Sequence, residues 1–357
     1  RVTRPDVDLP DGASLYGEQA YREAQRSFNK LVSAGILTQD QNPGYYIYAQ
    51  QMGNHRQVGI MGLASAEDYW EDRIKKHEFT RPQKEDDRMR HIEAVGAHLG
   101  PIFLTYRSHQ GIESLLHELV SDEPDVDFEA DDGVIHQLWP VFGEESVQKL
   151  RVLFREVPAL YIADGHHRAA AASRIGRGAQ PGDPRGLFLA VVFPDTQLKI
   201  LPYNRVVTDL NGLKPAELLD ALESQFRVTK VADAQWPKSP RAFTMFLNGC
   251  WYLLETLADV NAELDPVAGL DVSILQNQIL APLLGISDPR TDQRIEFVGG
   301  IRGLDFLTRK ASESEGVAFA LYATSLAELM AIADSGEVMP PKSTWFEPKL
   351  RTGMVVS

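Results

Sequence analysis

The chain has 357 residues, 43% of them hydrophobic, enough for a large core and for more than one compact domain. Its 36 Lys and Arg against 50 Asp and Glu leave a net charge of −14, which argues against a nonspecific nucleic-acid binder, because neutralising phosphates needs an excess of cations. One cysteine, Cys250, excludes an internal disulfide and a Cys-rich metal site, and no apolar run approaches the roughly 20 residues of a membrane span.

With no visible signal peptide, the expected location is the cytoplasm, with no membrane partner. The spacing predicts a helix over 17–35, ending at a glycine. Residues 45–52 and 56–65 read as a hairpin around Gly-Asn-His. A charged helix over 84–100, closed by Gly100, precedes a strand at 101–106. A second hairpin (126–141) turns at Asp-Asp-Gly, and an amphipathic helix follows at 144–157.

Strands are then expected at 186–194 and 198–207, joined by a Pro-Asp turn, and a helix at 214–226. Further on come a hairpin (242–255), a buried helix (271–285), strands at 294–300 and 317–325 around a helix, and a helix at 325–336. The tail 339–350 reads as irregular. This mixture is an α+β chain: mixed sheets with flanking helices. The most linker-like stretch is 176–186, "GRGAQPGDPRG". It divides the chain into an expected domain at 1–176 and another at 186–357.

The densest chemistry lies at 160–173, "LYIADGHHRAAAAS". An apolar strand ends in an acid and a helix-forming alanine run follows, with Gly-His-His between them. Gly165 permits a sharp reversal and close approach to a ligand. The helix aims unpaired N–H groups and its positive dipole end at the turn, which suits phosphate. Arg168 adds a forked cation, His166 and His167 add donors, and Asp164 can help to hold Mg²⁺. Three plainer readings stand beside this one: Asp164 as a helix cap, the His pair on a transition metal, and one His as a packed core ring.

A second cluster is "RIKKHEFTRPQKEDDR" (73–88), with Lys76, His77, Glu78, Lys84 and Arg88. A charge run of this kind is commonly a solvated face. Pro82 instead stiffens the entry to the helix, and Glu78 becomes a general base if the fold brings it to the turn. A third cluster, "PPKSTWFEPK" (340–349), offers Lys342, Ser343 and Trp345 as a lid or substrate surface, or as a tail packed on the core. "FVGGIRG" (297–303) matches neither a Walker loop nor a dinucleotide fingerprint.

The order of "HE", a polar helix, "GPIFLTY" and "IADGHHR" resembles the ParB/sulfiredoxin-like superfamily, above all the free-serine kinases that use ADP or ATP. Over nearly its whole length the chain resembles the bacterial domain-of-unknown-function family 1015, through "IKKHEFTRPQKEDDR", "ADGHHRAAAA", "LPYNRVV", "DVSILQ", "FVGGIRG" and "MPPKSTWFEPK". The resemblance implies a ParB/sulfiredoxin-like core with an insertion at about 107–158 and a large C-terminal extension. It also implies an upstream segment with a Pro-Pro-Tyr-Asp element.

By the same resemblance Glu78, with His77 beside it, is catalytic, and Asp164 to Arg168 hold nucleotide phosphates. Lys76, Lys84 and Arg88 supply further charge. The expected activity is a Mg²⁺- and nucleotide-dependent phosphotransferase for a small hydroxyl compound, with serine the first candidate and ADP or ATP the donor. The alternatives are a phosphate-ester hydrolase in the same pocket and a non-catalytic nucleotide-binding switch.

Overall fold

Helix α1 (Glu18–Ser33) opens the regular structure in the computed structural model, which describes residues 1–10, 14, 16–180, 182–257 and 265–357. Ala20, Tyr21, Ala24 and Ser27 recur at helical spacing and form its buried face. Next come β1 (Tyr45–Met52), β2 (His55–Ser65), α2 (Ala66–Trp70) and β3 (Ile74–Lys75). Helix α3 (Pro82–Val95) begins with proline at its first turn, where a missing N–H costs nothing. It stops at Gly96, whose φ of 75° suits a left-handed cap, four residues before the expected Gly100.

The chain continues through β4 (Ile102–Tyr106), α4 (Gln110–Leu119), β5 (Val126–Glu129) and β6 (Val134–Val141). Then follow α5 (Glu144–Phe154), β7 (Leu160–Asp164), α6 (His166–Ile175) and β8 (Leu187–Pro194). Their strands make one eight-stranded sheet in the order β3-β7-β4-β8-β2-β1-β6-β5. The β3/β7 and β4/β8 pairs are parallel and the other pairs antiparallel. Residues 107–158, expected as an insertion, carry β5 and β6, and β6 pairs with β1 along its whole length. Helix α4 was not among the predicted elements. Its Ile112, Leu115 and Leu116 bury against Ile47, Tyr106 and Trp139.

These elements form a first unit, Arg1–Leu198 together with Pro348–Ser357. The linker-like stretch 176–186 lies within it, between α6 and β8; its Pro181 is outside the described residues.

The second unit is Lys199–Glu347. It contains β9 (Lys199–Leu201), β10 (Tyr203–Val207), α7 (Pro215–Leu222), β11 (Phe226–Val231), β12 (Ala242–Leu247) and β13 (Cys250–Thr256). After these come α8 (Asp271–Leu275), β14 (Ile295–Gly299), α9 (Leu304–Ser314), β15 (Val317–Leu321), α10 (Leu326–Asp334) and β16 (Trp345–Glu347). Six strands form an antiparallel sheet, β11-β13-β12-β15-β10-β14, and β9 pairs with β16 as a separate ribbon. Leu307 and Ala311 of α9 pack on Val206, Phe246, Trp251 and Ala318.

The expected strand at 198–207 is thus two strands in different sheets, divided at Pro202, which has no N–H to give a ladder. The tail expected to be irregular contributes β16. The expected helix at 271–285 keeps α geometry only to Leu275, then widens into a π turn over Gln276–Leu280. With three sheets and ten helices among the described residues, the class is α+β. Among the described residues no helix is long and apolar enough to cross a membrane.

Candidate functional site

Strand β7 delivers Asp164 to the sheet's end, and Gly165 turns the chain at φ 97°, ψ 27°. Helix α6 then runs back over the sheet on Ala169, Ala170 and Ala172, each at most 4% exposed, against Ile102, Leu104 and Ile162. Side chains this small let the helix lie close, which holds its first turn at the strand end. A Cβ on Gly165 would lie 3.0 Å from Arg168 Nη2 and 3.2 Å from Nε. Gly165→Ala therefore combines a left-handed backbone with a crowded guanidinium. It is expected to cost about 1–3 kcal/mol, read from the urea midpoint.

Because β3 runs parallel to β7, the segment leaving Lys75 passes beside the same turn. His77 and His166 are both buried, their rings edge to face with centroids 4.4 Å apart. The His77 backbone N–H donates to His166 Nε2 at 3.4 Å. Nε2 is therefore the acceptor, so the proton of the neutral ring is assigned to Nδ1. That atom lies 3.8 Å from Glu78 Oε2, and Glu78 itself is 41% exposed. Burial, reinforced by His167, pushes His166 down to about 3. Burial, then the neighbouring His166, holds His77 well below the ordinary range. Neither His77 ring nitrogen makes a well-formed hydrogen bond among the described residues, although the Ile162 backbone favours its charged form.

Two neutral, buried imidazoles have a consequence for acid stability. Their folded pKa values lie below the unfolded value, so their contribution is complete above pH ~6.5 and is lost as pH falls below it. Each is expected to cost up to about 1.4 kcal/mol per pH unit in that window. Urea midpoints between pH 7.5 and 5 should show this slope. His166→Asn keeps a donor near the Nδ1 position without titrating, and should make the slope shallower. An unchanged slope in that variant contradicts the assignment.

His167 Nε2 accepts the Arg81 backbone N–H at 3.1 Å at the start of α3. Burial first, then the Lys84 charge, lowers its pKa. Arg174 ties the same two helices, 3.0 Å from Glu85 Oε2 and 2.9 Å from Asp86 Oδ1, while the Thr80 hydroxyl bonds Glu85. Arg168 curls back between two glycines: a Cβ on Gly100 would sit 3.0 Å from its Nη1. Its Nε is buried without a partner among the described residues. Burial lowers the pKa of Arg168 and Arg88 adds to this, while Asp164 works against both.

Asp164 Oδ2 is 3.0 Å from Lys349 Nζ, both side chains about half exposed. Burial works to raise the Asp164 carboxyl. The Lys349 ammonium, then Arg168 and the Gly165 backbone, outweigh it and hold it below the usual carboxylate range.

The structure thus brings His77 and Glu78 to the turn 164–168, with Lys84 and Arg88 near enough for their charges to be felt at His167. Arg88 Nε also lies 3.6 Å from Asp87 Oδ2. Lys76 is engaged elsewhere. Its ammonium donates to the Tyr69 carbonyl at 3.1 Å, stands 4.5 Å over that ring and lies 3.4 Å from Asp72. Lys342, Ser343 and Trp345 belong to the second unit. There Lys342 Nζ sits 5.7 Å over Tyr203, Ser343 donates to the Pro340 carbonyl, and the Trp345 ring lies against Gly299. Lys349 was not singled out from the sequence, although it stands within the quoted 340–349 stretch.

The arrangement suits an anion: a helix N-terminus with Arg168 and Lys349 stands against the two carboxylates Asp164 and Glu78, which leaves the turn slightly positive. Among the described residues no three His, Cys, Asp or Glu side chains gather as a metal cluster, and the His pair is engaged with backbone N–H groups. Asp164 alone fits a Mg²⁺ that draws its other ligands from phosphate and water.

No curated protein matches the chain. Among solved structures, the free serine kinase in complex with AMP covers 87% of this chain and 91% of its own, at 13% identity and a TM-score of 0.39. SbnI with C-terminal truncation from Staphylococcus aureus covers 82% and 85%, at 15% identity and 0.43. A conserved hypothetical protein from Pyrococcus furiosus covers 82% and 93%, at 15% identity and 0.38. Overlaps this partial leave the chemistry to be read from the residues themselves. The family model described as protein of unknown function (DUF1015) matches residues 1–273, and the chain belongs to that family.

Proposed function

We propose that the chain is a Mg²⁺-dependent phosphotransferase that uses ADP or ATP to phosphorylate a small hydroxyl metabolite, with serine the first candidate. The observation that carries this reading is the placement of Glu78 beside His166 at the mouth of the cation-lined turn. A carboxylate next to a phosphate cradle has the parts that phosphoryl transfer needs: a base, positive charge and fixed geometry.

In this scheme the phosphates rest on the α6 N-terminus and Arg168. Glu78 takes the proton of the acceptor hydroxyl as its oxygen attacks phosphorus, and the nucleotide leaves with one phosphate fewer. His166, neutral and with Nδ1 3.8 Å from Glu78 Oε2, packs beside the carboxylate and limits where it can sit. Asp164 is the residue to hold Mg²⁺, which when bound neutralises phosphate charge.

The half-exposed side chain of Glu78 also leaves room for water as the nucleophile, so hydrolysis of a phosphate ester is the second reading. Incubation with Mg²⁺ and ADP or ATP, with and without serine and a panel of small alcohols, separates the two. Nucleotide loss that depends on an acceptor and yields a phosphorylated acceptor supports transfer. Acceptor-independent release of inorganic phosphate supports hydrolysis. Tight binding with no turnover leaves a switch.

A further inference from the structure

Residues 348–357 rejoin the first unit after the whole of the second, and they do so at the turn. The Lys349 carbonyl accepts from Gln50 Nε2 at 2.9 Å, and Gln50 Oε1 accepts from Gln57 Nε2 at 3.0 Å. Both glutamines are fully buried. Two residues on, the Arg351 N–H donates to the Tyr48 hydroxyl at 3.4 Å, and its guanidinium lies 3.7 Å from Asp132. A Cβ on Gly100 would lie 2.8 Å from Thr352 Cγ2 as well as 3.0 Å from Arg168 Nη1. The segment and Arg168 thus pack on the same glycine. Further along, Gly353 N–H bonds the Leu99 carbonyl, and Ser357 and His98 exchange backbone hydrogen bonds.

We propose that Lys349 is a phosphate-binding residue of this site, delivered by the 348–357 segment, and that it favours nucleotides with more than one phosphate. The proposal rests on the reading of the turn as a nucleotide-phosphate site. Its warrant is geometric. Backbone fixed at residue 349 itself and again at 351 and 353 sets the origin of a long, flexible side chain. The ammonium is held by Asp164 at the half-exposed mouth of the turn, where an incoming ligand meets it.

A half-exposed ion pair contributes little stability, so holding the chain together is a poor account of placing this ammonium on Asp164 from a backbone carbonyl anchored by the buried Gln50. Charge points the same way. Arg168, whose Nε has no partner among the described residues, and Lys349 together outnumber the Asp164 carboxylate in a chain of net charge −14. A group carrying several negative charges gains more from a second cation than a singly phosphorylated one.

The test is calorimetric titration of the full chain with AMP and with ADP, each with Mg²⁺, on wild type, Arg168→Ala, Lys349→Ala and Lys349→Arg, with a melting curve for each. Lys349→Ala is expected to weaken ADP roughly tenfold to a hundredfold, the scale of a lost charge-assisted hydrogen bond, and AMP less. Its melting temperature should stay at the wild-type value, and Lys349→Arg should restore most of the ADP affinity. Two results overturn the proposal: wild-type ADP binding in Lys349→Ala, or equal weakening of AMP and ADP with a lowered melting temperature, which marks a structural role. Loss in Arg168→Ala alone leaves the turn standing and removes only Lys349. Failure of the wild type to bind either nucleotide ends both readings.

Discussion

Glu78→Gln is expected to lower turnover by roughly 10²–10⁴ while leaving nucleotide affinity unchanged. The substitution keeps the size of the side chain and an acceptor for the His166 Nδ1–H, and removes only the basicity. On the proposed reading binding is spared, because the cations assigned to the phosphates are Arg168 and Lys349, and the Lys349 ammonium pairs with Asp164 rather than with Glu78. The measurement is steady-state phosphorylation of the best acceptor alongside a calorimetric Kd for ADP. Turnover at the wild-type rate removes Glu78 as the base. Loss of binding together with turnover moves it into the phosphate site.

Arg168→Ala is expected to weaken ADP by roughly 10²-fold, since it removes a forked, charge-assisted contact from a site where the guanidinium is largely desolvated. Arg168→Lys should recover little, because a point charge on a longer stem cannot fill the flat space between Gly165 and Gly100. Asp164 keeps Lys349 in both variants, so the fold is not left with an uncompensated carboxylate. Equal affinity in wild type and Arg168→Ala overturns the phosphate cradle, and the kinase reading with it.

Much of the site was readable because it is contiguous. Asp164, Gly165 and the first turn of α6 lie in five consecutive residues, and glycine after a β-forming run followed by alanines has one economical local solution. The relation of Glu78 to His166 was not readable from spacing. It depends on β3 lying parallel to β7, a pairing of only two residues. The resemblance to a known family supplied that neighbourhood where periodicity did not.

Lys349 was missed for a similar reason. It stands 185 residues from its partner Asp164, and within its own stretch Lys342 and Trp345 looked chemically richer. The buried pair Gln50 and Gln57, facing each other across the β1/β2 hairpin, was the available hint: amides in a core need partners, and Gln57 donates to Gln50, which donates in turn to the Lys349 carbonyl. Element ends failed where two signals competed. The sequence points to Gly100 as the stop for α3, whereas Gly96, four residues earlier, takes the left-handed cap.

The return of residues 348–357 to the first unit also bears on how the protein is made. A ribosome delivers the Asp164 turn, and β8 that flanks it, well before the segment that lays Lys349 on Asp164. The whole of the second unit, roughly 150 residues, must be synthesised in between, a delay of about 7–30 s at 5–20 residues per second. Through that interval the nascent first unit holds two buried-type glutamines and a half-neutralised carboxylate open to water. The backbone that carries Lys349 is therefore laid beside the Asp164 turn late, after the second unit has been synthesised.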